Sequence, residues 1–154
     1  MALDVGAIRL ALAEQIRVAL ADSPRPANVY AYPPSSPELP AVLVRPRTNT
    51  AEYIQYHESF SSNENGDGAL AGIELEIEVR TGGWDEDSQI AMDAYLSSGL
   101  PESIVTAVEA DKTLGGAVES CWVRAAGAPV PLLPADGVRE WLSARFEFVG
   151  YERR

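Results

Sequence analysis

The chain has 154 residues, 46% of them apolar and 23% charged, ordinary values for one globular domain spanning 1–154. Its 12 Lys+Arg against 23 Asp+Glu give a net charge of −11, which argues against a basic nucleic-acid-binding domain and excludes a polybasic membrane anchor. One Cys and one His can neither close an internal disulfide nor assemble a zinc site from the usual ligands.

In chain order, Ile8, Leu12, Ile16 and Leu20 recur every four residues and predict an amphipathic helix over residues 4–21, with Asp4 as its N-cap. Asp4 also stands where a signal peptide would carry positive charge. Arg9, Glu14 and Arg17 break the apolar run, so neither a signal peptide nor a membrane span is expected. Ser23-Pro24-Arg25-Pro26 stops the helix. Short strands follow at Val29–Tyr32 and Ala41–Val44, joined by a stiff segment containing Pro33, Pro34, Pro37 and Pro40.

The most regular pattern is Ile73-Glu74-Leu75-Glu76-Ile77-Glu78-Val79-Arg80, whose strict alternation predicts a strand with one apolar and one charged face. Glu52–Phe60 reads as its partner, making 52–80 a long β-hairpin. Its polar loop, 61–69, holds the turn dipeptides Asn65-Gly66 and Asp67-Gly68. Asp85 is the next expected N-cap, for a helix over 86–97 with Ile90, Ala94 and Trp84 toward the core. A second short helix is expected at Glu102–Ala110. Strands at 117–125 and 138–150 follow, separated by a Pro-rich loop from Gly127 to Asp136. Leu142, Ala144, Phe146 and Phe148 share a face of the last strand. The fold class is α+β: a mostly antiparallel sheet with a long β-hairpin, packed against an N-terminal helix and one or two further helices.

The negative charge is concentrated. Residues 1–51 and 112–154 each carry +1, whereas 52–111 hold fourteen acids and one cation, Arg80, for −13. A solvated face is the simplest account, and a surface kept negative beside something specific is the sharper one.

Motifs for chemistry are sparse. Neither a P-loop nor G-x-G-x-x-G occurs. His57 and Cys121 each lie in a strand beside no nucleophile motif, and Cys121 reads as a small core residue. Asn63, Asn65, Asp67 and Glu74 sit at positions 1, 3, 5 and 12 of a calcium-loop pattern, with Gly68 at position 6. The flanks read as strands where an EF-hand needs helices, and turn chemistry explains the same residues. Asp85-Glu86-Asp87 suit the first turn of a helix, where acids complement its dipole. No catalytic residue and no cofactor is assigned.

The order of segments carries a resemblance. An amphipathic helix leads to VYAYPPSSPELPAVLVRP, a long hairpin, YLSSGLPESIVTAV, EADKTLGGAVESCWVRAAG and DGVREWLSARFEFVGYE. This resembles the tail-terminator (tail-completion, minor tail) proteins of long-tailed bacteriophages over residues 7–151. The match is best in the glycine turn: Asp111, Thr113, Leu114, Gly115, Gly116 and Val118. The resemblance implies a virion structural protein of the tail–neck region, assembled in the host cytoplasm. It would form a ring, typically a hexamer, that caps the tail tube, ends polymerisation and meets the head-side connector. Genome DNA would pass through the lumen without specific binding, and no membrane is involved. A head–tail joining protein of the same neck is the alternative within the virion. An acidic calcium-binding module using residues 63–74 is the alternative outside it.

Against that picture, Glu74, Glu76 and Glu78 form a like-charge ladder with two possible uses. It could meet Arg45, Arg47, Arg139 or Arg145 across a subunit boundary, or it could line the lumen and repel DNA. Asn63, Glu64, Asn65 and Asp67, in the 61–69 loop, are candidates for contacts that order only against the tube or connector.

Overall fold

Asp4 caps the first helix as its sequence predicts: in the computed structural model its side chain accepts a hydrogen bond from the Ala7 N–H at 2.9 Å. The structure describes residues 3–47, 54–57, 70–132 and 141–153. Helix α1 (Val5–Ala21) buries Ile8, Leu12, Ala13, Ile16 and Leu20, so the four-residue spacing marks its core stripe. The Ser23 hydroxyl donates to the Leu20 carbonyl at 2.8 Å and closes the last turn ahead of Pro24. Arg9 clasps α1 to the sheet, donating to the carbonyls of Ala31 at 3.0 Å and Val44 at 2.9 Å.

Strands β1 (Asn28–Tyr30), β2 (Ala41–Pro46), β3 (Ile54–His57) and β4 (Leu70–Thr81) come next. Helices α2 (Glu86–Leu96) and α3 (Ile104–Glu109) follow, then β5 (Ser120–Ala126), β6 (Val130–Leu132) and β7 (Trp141–Arg153). The architecture is α+β. A mostly antiparallel sheet runs β1-β2-β4-β7-β5, with β3 also on β4 and β6 also on β7. Its centre is the long β4–β7 pair, in continuous register from Leu70↔Arg153 to Thr81↔Leu142.

The edge of β4 is shared by two strands. Residues Leu75–Arg80 pair with β2 and Leu70–Ile73 pair with β3. Among the described residues the expected hairpin pairing is therefore present over the four residues of β3. The strand is twelve residues long, and β2 occupies the half that the hairpin was expected to fill. The 61–69 loop lies outside the described residues.

One face of the sheet presents Val42, Val44, Ile73, Leu75, Ile77, Val79, Leu142, Ala144, Phe146 and Phe148 to the buried stripes of the helices. Alternation along β4 and β7 predicts this face, and it holds throughout.

Two local expectations are corrected. Helix α2 turns Met92 and Tyr95 into the core, while Ile90 and Trp84 are each 45% exposed and Ala94 is only half-buried. The inward stripe is buried Met92 and Tyr95 with half-buried Ser88 and Ala91, spaced i, i+3, i+4, i+7 from Ser88. The Tyr95 hydroxyl fixes that rotation by donating to the Arg25 carbonyl at 2.9 Å, and burial pushes its pKa up to about 12. The Pro-rich loop also contains a strand, β6, in which Pro131 is tolerated because the strand pairs with β7 alone.

Candidate functional site

The opposite face of the sheet carries charges where the first carries hydrocarbon. Glu74, Glu76 and Glu78 project from β4, Glu147 and Arg145 from β7, and Arg45 from β2, with Arg47 just beyond it. Glu76 stands directly opposite Glu147 in the register, an arrangement that is unfavourable unless cations intervene.

The cations are present within the same chain. Arg45 bridges the ladder, with Nε 2.6 Å from Glu76 Oε2 and Nη2 2.8 Å from Glu78 Oε1. Arg47 spans strands, 2.8 Å from Glu74 and 2.9 Å from Glu147. Arg124 pairs with the same two carboxylates at 3.1 and 3.0 Å. Arg80 reaches Glu78 at 2.9 Å while its guanidinium lies 4.9 Å from the Trp141 ring centroid. Arg145 lies 3.7 Å from Glu76.

Glu78 is the deepest member, with no exposed side-chain surface. Burial pushes its carboxyl up. Hydrogen bonds from Arg80 and Ser143, together with the charges of Arg45 and Arg80, outweigh burial and hold its pKa below the usual carboxylate value. The Ser143 hydroxyl donates to Glu78 Oε2 at 2.6 Å. The network is layered. Glu74, Glu76 and Glu78 are 12, 7 and 0% exposed, whereas the longer side chains of Arg124 and Arg145 are each 43% exposed. Glu147 is 34% exposed and Arg45, Arg47 and Arg80 are 22, 24 and 16%, so the outermost guanidinium groups are those of Arg124 and Arg145.

Of the arginines expected to meet the ladder, Arg45, Arg47 and Arg145 do so inside one subunit. Arg139 lies outside the described residues. Sequence reasoning missed Arg80, Arg124, Ser143 and Glu147 as members. Arg80 was legible, since two residues from Glu78 on a strand is the same face. Arg124 was not, because it sits at a register shift between Val123 and Ala125 that no residue pattern announces.

The glycine turn has its own logic. The Asp111 carboxylate accepts from the Thr113 N–H at 2.9 Å, the Thr113 hydroxyl at 2.7 Å and the Gly115 N–H at 2.9 Å. The Thr113 hydroxyl is the largest of the causes that hold the Asp111 pKa below the usual range. Leu114, Gly115 and Gly116 adopt φ of 50°, 68° and 97°, a left-handed run that glycine tolerates best. The turn drives Leu114 and Val118 into the core, and the Gln15 amide ties it to α1 by donating to the Asp111 carbonyl at 3.2 Å. These residues set the angle between α3 and β5.

Asn63, Glu64, Asn65 and Asp67 lie outside the described residues. Glu74, the last position of the calcium pattern, lies within β4 and is engaged by two arginines. A cation there would have to displace both guanidinium groups. Among the described residues no group of three or more His, Cys, Asp or Glu could hold a metal ion, and no helix is long and apolar enough to cross a membrane. Cys121 is buried, and burial is the largest cause raising its thiol pKa to about 12. Neither a family model nor any characterised protein compared with the chain matches it.

Proposed function

We propose that this chain is a virion structural subunit of a long-tailed bacteriophage. In this reading it forms a ring that caps the tail tube, ends tail polymerisation and joins the tail to the head-side connector. The observation that carries the reading is the Asp111–Val118 turn, set in the segment order helix, hairpin, helix, turn, closing strand. The geometry gives that turn a definite task, since it docks α3 against α1 and launches β5 along the central β7. The reading rests on resemblance of sequence pattern, a family-level analogy.

Neither use expected for Glu74, Glu76 and Glu78 follows from the ladder itself, since Arg45, Arg47 and Arg145 meet it within one chain. The ladder's charge is neutralised there, which leaves little to repel DNA in a lumen. A subunit boundary on this face would present the outermost arginines.

Native mass measurement of the protein alone and with tail-tube protein tests the proposal. A closed oligomer, or a complex that forms only on tube ends, is the expected result. A strict monomer that never binds tubes overturns it. Deleting residues 63–68 should leave the fold intact and weaken tube or connector binding.

A further inference from the structure

The chain carries two surfaces of opposite character on opposite sides of its two layers. On the open sheet face, Arg124 and Arg145 pair with Glu74, Glu76 and Glu147, the last 34% exposed. Among the described residues the five arginines of the network outnumber its four carboxylates by one. Beside them Trp122, 37% exposed, packs edge-on against Tyr151 at 5.6 Å. Arg, Trp and Tyr are the residue types that concentrate binding energy at protein interfaces. A cleft of about 270 Å³ beside Arg47 and Arg145 is lined also by Glu76, Glu147 and the Ala125–Gly127 segment. That is below the roughly 300–1,000 Å³ of small-molecule pockets and suits side chains of a partner.

On the helical side, α2 packs its buried stripe over β4 and β7 and presents the reverse face outward. Glu86, Ile90 and Asp93 recur there at i, i+4, i+7, all exposed, with exposed Trp84 just ahead of the helix. Between Arg80 and Lys112 the chain has seven acids and no cation. An acidic rim around apolar anchors complements a layer of guanidinium groups around aromatic ones.

We infer that the arginine layer of the open sheet face docks the outer face of α2 on a second copy of this chain. The choice of partner rests on the ring reading. The two surfaces point away from each other, so they cannot meet within one molecule, and each copy offers one of each. Such head-to-tail contact is heterologous, and it closes into a ring when the rotation per subunit permits.

Charge reversal tests the inference by sedimentation velocity in low and high salt. Arg124→Glu with Arg145→Glu should weaken self-association at least tenfold, and so should Glu86→Arg with Asp93→Arg. Mixing the two variants restores opposite charge at every contact and should recover wild-type assemblies. Should the sheet-face variant fail to fold by circular dichroism, the α2 variant carries the test alone. It should not self-associate, yet should still bind wild-type protein through its intact sheet face. Wild-type oligomers indifferent to both reversals, or variants that fail to recover on mixing, overturn the interface and leave the ring standing. A wild-type protein that stays monomeric and ignores tail-tube protein overturns both.

Discussion

Two acidic regions of this molecule contrast sharply. Glu74, Glu76 and Glu78 on β4 are buried or nearly so, and each is held by at least one arginine. Asp85, Glu86, Asp87 and Asp93 around α2 are exposed, and between residues 85 and 111 the ion pair among the described residues is Glu109–Lys112, at 3.5 Å. In sequence both belong to one −13 block. The fold divides them by carrying arginines of the two flanks onto β4 alone, with Arg45 and Arg47 from one side and Arg124 and Arg145 from the other. Formal charge along a chain is therefore a poor guide to the potential at its surface.

The comparison breaks most visibly at Glu78. Glu78→Ala would leave Arg45 and Arg80 partly buried beside an empty site, at a cost of about 3–5 kcal/mol. Thermal denaturation should show a fall of roughly 10 °C. The wild-type contribution is present above the unfolded carboxylate pKa and is lost as pH falls through the lowered folded value, so the difference between the two proteins should shrink in acid.

Glu152 sharpens the contrast from the other side. It is 1% exposed, Oε2 has no hydrogen-bond partner among the described residues, and burial is the largest cause raising its pKa. A raised carboxyl favours the fold below its unfolded pKa, and that contribution is lost as pH rises through the folded value. Glu152→Gln should therefore stabilise the neutral protein by about 1–2 kcal/mol in urea melts, with the gain fading in acid.

Asp111 is a third case, compensated by N–H and hydroxyl donors in place of cations. Gly116→Ala would strain that turn at φ 97° although nothing lies within 4 Å of the added methyl, costing about 1–2 kcal/mol by denaturant midpoint. Least affected should be Lys112→Ala. Its pair with Glu109 is a solvated i, i+3 contact, so less than about 0.5 kcal/mol is expected from equilibrium unfolding.

Much of the fold was legible because local and global preferences agree in particular residues. Asp4 and the Ile8–Leu20 stripe specify α1, and the alternation of β4 and β7 specifies both faces of the sheet. Ile90 and Trp84 misled because hydrophobicity ranks residues and does not orient helices. The Tyr95 hydroxyl, through a carbonyl 70 residues away, settles which side of α2 faces inward. In the candidate site the three carboxylates of β4 were legible, whereas Glu147 and half the partners were not. Arg124 reaches Glu74 across 50 positions from an irregular strand, and the expectation looked for cations across a boundary when they lay within the fold.

The alternation of β4 has a further consequence, for the nascent chain. Leu75 finds its partner Phe148 only 73 positions later, so the central pair closes a long loop and forms late. Until then β4 is an apolar, β-prone segment without a neighbour on that edge, the kind of stretch that seeds aggregation. Its three glutamates interrupt the hydrocarbon between Ile73 and Val79 and repel a second unpaired copy. The same side chains that arginines neutralise in the finished fold would thus act as gatekeepers while it is being made, useful in each state for opposite reasons.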